Sequence, residues 1–124
     1  MKTLAALFTV SVFLIGCAAA RSPEMYRDDT KKLLDARDGD IKACYDGILK
    51  TDPKAGGKVG VKFAFEKDTG RLIDAKVDPA STTAPDSVGQ CVIANLGGIV
   101  LQPGDKRRGE ALWIWDFSAA QAAK

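Results

Sequence analysis

The chain has 124 residues, enough for one domain, with 18 basic and 16 acidic side chains, a net charge of +2 and no histidine. A balance this close to neutral gives no electrostatic case for binding nucleic acid. Without histidine, the commonest general acid–base and the commonest metal ligand are both missing.

Met1-Lys2 is a short positive head, and Leu4 to Ile15 is an uncharged apolar run ending at Gly16-Cys17. About 12 apolar residues are too few to span a bilayer, which needs ~20. Their position is that of a secretory signal peptide. Leu14-Ile15-Gly16-Cys17 resembles the lipobox of bacterial lipoproteins, in which the small residue admits a peptidase and the cysteine is lipidated and becomes the N-terminus. The rival reading is a short core helix followed by a structural cysteine. The lipobox reading makes residues 1–16 a signal peptide, 17–22 a tether, 23–118 a single α+β domain and 119–124 a disordered alanine-rich tail. Acyl chains each contribute ~0.8 kcal/mol per buried methylene, so two or more hold a protein on a membrane. The five tether residues after Cys17 reach less than ~20 Å, which keeps the domain close to the bilayer. Ala18 is not the aspartate that signals inner-membrane retention in the lipoproteins this segment resembles. The expected address is therefore the outer membrane, facing the periplasm.

Ser22-Pro23-Glu24 is a helix start: a capping hydroxyl, a proline for the first turn and a carboxylate for the positive end. Residues 23–37 are highly charged, with Leu33 and Leu34 as the main apolar pair, and read as a solvated helix leading into the domain. Gly39 weakens it, and Asp40 can cap a second segment. Ile41, Cys44, Tyr45, Ile48 and Leu49 then follow helical spacing, and Thr51-Asp52-Pro53 stops the run. After the Ala55-Gly56-Gly57 loop, Val59, Val61, Phe63 and Phe65 alternate with Gly60, Lys62, Ala64 and Glu66, predicting a half-buried strand. Asp68-Thr69-Gly70 is a hairpin turn. Ile73, Ala75 and Val77 are expected inward on the second strand, with Asp74, Lys76 and Asp78 outward.

Pro79 to Ala84 reads as a loop. Pro85-Asp86 opens a third helix whose stripe is Val88, Cys91, Val92, Leu96 and Ile99, ended by Gly97-Gly98. Lys106, Arg107 and Arg108 lie in a charged loop over 102–109; such a run is solvated by default, with lipid headgroups as the functional alternative. Residues 110–118 form the last strand, with Trp113, Trp115 and Phe117 on one face and Leu112 and Ile114 on the other.

The fold class is thus α+β, in the order α-α-β-β-α-β: a two-layer sandwich with a three-stranded, mainly antiparallel sheet covered by helices on one face. The third strand is expected beside the first. With Cys17 lipidated, Cys44 and Cys91 remain, in an oxidising compartment. A disulfide between them closes a loop of about 48 residues, worth on the order of 4 kcal/mol; the alternative is two separate buried thiols. A metal site is poorly supported, because two distant cysteines do not make a set of four ligands.

Cys44-Tyr45, Pro53 and Gly57-Lys58-Val59-Gly60-Val61-Lys62-Phe63 resemble the AgmX/PglI C-terminal domain of gliding-motility proteins. Gly70, Ser81-Thr82, Val88, Cys91-Val92, Pro103 and Trp115-Asp116-Phe117 continue the resemblance, which covers residues 40–118. That family is similar in fold to the TonB C-terminal domain, so a TonB-like fold is implied. Recognition of an extended partner segment at the sheet edge is implied with it. In place of the family's Trp-x-Phe-Pro stretch the chain has Ile99-Val100-Leu101-Gln102-Pro103, which keeps the proline and lacks the aromatics.

No serine lies in a nucleophile-elbow pattern, and Gly56-Gly57-Lys58 lacks phosphate-loop spacing. No catalytic residue, cofactor, metal or small-molecule substrate is expected, apart from covalent lipid on Cys17. The expected function is a non-catalytic envelope adaptor that binds a protein partner at its edge strand, through Leu112, Trp113, Ile114 and Trp115. The rival is a passive structural envelope lipoprotein with no peptide ligand. Trp113, Trp115 and Phe117 are expected under the helices, leaving Leu112 and Ile114 outside as the partner patch.

Overall fold

The computed structural model describes residues 21–118. The segment expected to be a signal peptide, Cys17, most of the expected tether and the expected tail from 119 lie outside the described residues. Helix α1 (Pro23–Asp35) starts as its cap predicts: Met25 N–H donates to Ser22 Oγ at 3.2 Å. It stops two residues earlier than its charge pattern suggested. Only Ala36 and Arg37 separate it from α2 (Asp38–Leu49), whose first turn absorbs Gly39 and Asp40.

The expectation of a solvated lead-in helix is corrected by the packing. Leu34 is 1% exposed, Thr30 is buried, and the Tyr26 ring lies 6.3 Å from that of Phe65. One apolar turn and one aromatic ring suffice because α1 meets the sheet at one end, where β1 finishes.

Strands β1 (Lys58–Phe65), β2 (Leu72–Val77) and β3 (Gly109–Asp116) form one antiparallel sheet in the order β2-β1-β3. The third strand lies beside the first, as expected. Val59, Val61, Phe63 and Phe65 point into a core shared with Leu34, Ile41, Tyr45, Val88 and Val92. All three helices thus cover the same face. Helix α3 (Asp86–Ala94) is shorter than its stripe. Leu96 and Ile99 still enter the core, but from the turn that follows, where Asn95 Nδ2 donates to the Cys91 carbonyl at 2.7 Å.

Two corrections concern β2 and its exit. Ile73 is not inward. Phe65 pairs with Leu72, Ala64 with Ile73 and Lys62 with Lys76, so β2 carries one extra residue between the last two pairs. Asp74 takes up that bulge at φ +56°. The phase shift puts Leu72, Ala75 and Val77 toward the helices and leaves Ile73 on the outer face with Ala64. The segment after β2 is also more than a loop. A 3-10 turn (Pro79–Ser81) leads to Thr82 Oγ1, which accepts from Gly60 N–H at 3.0 Å, and Thr83 Oγ1, which accepts from Lys58 N–H at 2.8 Å. These hydroxyls take the place of ladder partners along the first half of β1. Gly60 is required there, because a Cβ would fall 1.9 Å from Ser81 Oγ.

Cys44 and Cys91 form a disulfide that joins α2 to α3, with Cα atoms 5.8 Å apart. Cys91 is buried, but Cys44 is exposed on α2 rather than on its buried stripe. The staple therefore lies at the rim of the helical layer.

Candidate functional site: the free edge of β3

Burial alternates strictly along β3. Ala111, Trp113 and Trp115 face the helices and pack against the core, half-buried because the strand is at the sheet margin. Phe117 beyond them is 7% exposed. Leu112 and Ile114 point the other way and are 46% and 49% exposed. The four expected partner-binding residues are therefore split two and two between the faces of one strand.

The backbone of β3 divides just as sharply. Phe117 N–H donates to the Gly57 carbonyl at 2.8 Å. Backbone direction alternates along a strand, so the amides and carbonyls of Ala111, Trp113 and Trp115 face β1. Those of Glu110, Leu112, Ile114 and Asp116 point away from it. Among the described residues no strand pairs with that side. The opposite margin of the sheet is covered in part: Leu72 N–H donates to the Ile99 carbonyl and Leu101 N–H to the Gly70 carbonyl.

The free edge opens between two shallow grooves. One, of about 350 Å³, lies between Tyr26, Arg27 and Thr30 of α1 and the stretch Gly109–Trp113. The other, of about 290 Å³, lies between Ile41, Lys42 and Tyr45 of α2 and the stretch Trp115–Phe117. Tyr45 fixes the floor of the second. Its hydroxyl donates to the Ala55 carbonyl at 2.5 Å, and its ring is 4.7 Å from that of Phe117. A strand added to β3 would send alternate side chains into these grooves, over Trp113 and Trp115, and the others onto the outer face beside Leu112 and Ile114.

The outer face is held by charged side chains. Arg108 Nη2 contacts Asp74 Oδ2 at 2.8 Å, and its Nε lies 3.6 Å from Glu110 Oε1. This links the bulge of β2 to the start of β3, across β1. The carboxylates of Asp78 and Glu66 are engaged. Asp78 is 9% exposed, although the alternation places it outward. It accepts from the Ser81 hydroxyl at 2.6 Å, which with Lys62 holds its carboxyl below the usual range. Glu66 is lowered likewise, by the Thr69 hydroxyl first and Arg71 second.

Among the described residues no group of three or more histidine, cysteine or carboxylate side chains is placed to hold a metal ion. No described helix is long and apolar enough to cross a membrane. The groove walls on α1 and α2 escaped sequence reasoning. Tyr26, Arg27 and Thr30 carry no apolar periodicity, and nothing local reports that a charged helix lies against a strand edge 80 residues downstream. Comparison with family models, curated proteins and solved structures returned no match.

Proposed function

We propose that this chain is a lipid-anchored periplasmic lipoprotein, held in the outer membrane through Cys17, that works as a non-catalytic adaptor of the cell envelope. A partner's extended segment adds to β3, with main-chain hydrogen bonds to Leu112, Ile114 and Asp116 and side-chain contacts to Leu112, Trp113, Ile114 and Trp115. The observation that carries this reading is the conjunction on one strand: an unpaired edge, a groove on each side of its helical flank and two exposed aliphatic side chains. The resemblance of residues 40–118 to the AgmX/PglI C-terminal domain, and through it to a TonB-like fold, supports the same mode and a gliding-motility or TonB-like setting.

Two measurements test it. The intact mass of membrane-extracted protein should report loss of residues 1–16, acylation and the two-dalton deficit of the disulfide. Envelope capture with Ile114→Pro, which removes an amide on the open side, should recover the partner far less than wild type. Equal recovery by the folded variant would leave a passive structural lipoprotein as the function.

A further inference from the structure

The fold brings together two stretches 84 residues apart, where the tether ends and where the basic loop begins: Arg21 N–H donates to Asp105 Oδ2 at 2.8 Å. The Arg21 side chain is buried, its Nε 2.8 Å from Asp29 Oδ2 and its guanidinium 5.9 Å from the Tyr26 ring centre. Arg21 is thus held in the domain ahead of Pro23, and Ala18–Ala20 alone stand between it and Cys17 in the sequence. Four residue steps from Cys17 reach about 14 Å when fully extended.

Lys106 and Arg107 follow Asp105 directly, and Arg107 N–H donates to Asp105 Oδ1 at 3.0 Å. Lys67 is adjacent as well, because Asp68 N–H donates to the Asp105 carbonyl at 2.8 Å. Lys67, Lys106 and Arg107 are exposed, and among the described residues none of them has an ion-pair partner. Arg108 differs, being occupied by Asp74 and Glu110. Of the nearby carboxylates, Asp105 is buried and turned to Arg21, Asp29 is paired with Arg21, Glu66 is paired with Arg71, and Asp68 is exposed.

We propose that Lys67, Lys106 and Arg107 contact anionic lipid headgroups at the point where the acylated tether leaves the domain. They hold the Gly109 end of β3 at the bilayer and its Asp116 end away from it. This rests on the lipid-anchor reading of Cys17. A gap of at most ~14 Å is too narrow for a folded partner domain, whose radius alone is about that, so the surface facing these cations is the membrane itself. Acyl chains and a basic patch acting together are the usual two-signal arrangement. Each Lys or Arg near an anionic surface strengthens the contact roughly fivefold.

The test uses the full chain, acylated in cells and reconstituted into vesicles. Lys58 is the internal control. It pairs with Asp116 at the far end of β1 from the Phe65–Gly109 pair, about 23 Å away along the strand. In phosphatidylglycerol-containing vesicles, amine acetylation of Lys106 and Lys67 relative to Lys58 should slow at least about fivefold against phosphatidylcholine vesicles. The difference should vanish near 1 M salt, where screening falls to ~3 Å. Arg107→Gln should reduce the slowing and leave Lys58 unchanged. An unchanged ratio in protein that floats with the vesicles overturns the proposal and spares the anchor. Equal slowing of Lys58 overturns it also, since the domain would then lie flat. A chain without acyl mass that stays out of the vesicles removes the anchor, and this contact with it.

Discussion

The amide of Phe117 donates to the carbonyl of Gly57 at 2.8 Å, and this one bond decides which half of the β3 backbone is committed to the sheet. It turns Trp113 and Trp115 amides toward β1 and leaves those of Leu112 and Ile114 on the open side. Proline should therefore discriminate between neighbours. Trp113→Pro removes a ladder donor and leaves its carbonyl partner on β1 unsatisfied, which should cost about 1–3 kcal/mol. Ile114→Pro removes an unpaired donor at an edge, where proline is tolerated, and should cost about 1 kcal/mol or less. Urea unfolding midpoints of the two variants check this ordering.

The disulfide should supply a large share of the stability. It links residues 47 apart in sequence, a loop length for which chain entropy gives on the order of 4 kcal/mol. Because Cys44 is exposed, reductant should reach the bond without prior unfolding. Denaturation with and without dithiothreitol measures the difference, and Cys44→Ala with Cys91→Ala should reproduce the reduced value.

Gly60 of β1 lies directly against Ser81 of the 3-10 turn that follows β2. A Cβ there meets Ser81 Oγ at 1.9 Å and Ser81 Cβ at 2.8 Å. Gly60→Ala should destabilise by roughly 1–3 kcal/mol through overpacking. The added variant Ser81→Gly should recover part of that loss, read from thermal melts of the single and double variants.

Acid should loosen the junction between Arg21 and the basic loop. The Arg21 amide holds the Asp105 carboxyl below the usual carboxylate range, with burial opposing and the Arg107 amide adding. A depressed folded pKa means that the stabilising contribution is complete above the unfolded value of ~3.9 and is lost as pH falls through the lowered one. Proteolysis after Arg21 should stay slow at neutral pH and accelerate below about pH 4. In Asp105→Asn it should be fast at neutral pH and less sensitive to acid.

Much of the fold was legible because its signals are periodic. The alternation from Val59 to Phe65 and the Asp68-Thr69-Gly70 turn specified the hairpin, and Trp113, Trp115 and Phe117 specified the buried side of β3. The failures fall where one residue changes phase or where polar groups carry the structure. The left-handed Asp74 reverses the facing of Ile73, and nothing in an alternating pattern marks a single extra residue. Thr82 and Thr83 looked like loop formers because their partners, the amides of Gly60 and Lys58, are more than 20 residues away. Helix α1 looked solvated because Tyr26 and Thr30 bury through one-ended contact rather than a stripe. The edge itself could be anticipated, since a third strand beside the first leaves one margin open; the groove walls on α1 and α2 could not.

Amide hydrogen exchange at Ile114 tests the central claim most directly, compared between the purified protein and its captured envelope complex. Strand addition at β3 predicts fast exchange at Leu112 and Ile114 in the free protein and strong slowing in the complex, with Trp113 slow in both. An Ile114 amide that exchanges at the same rate bound and free would contradict it.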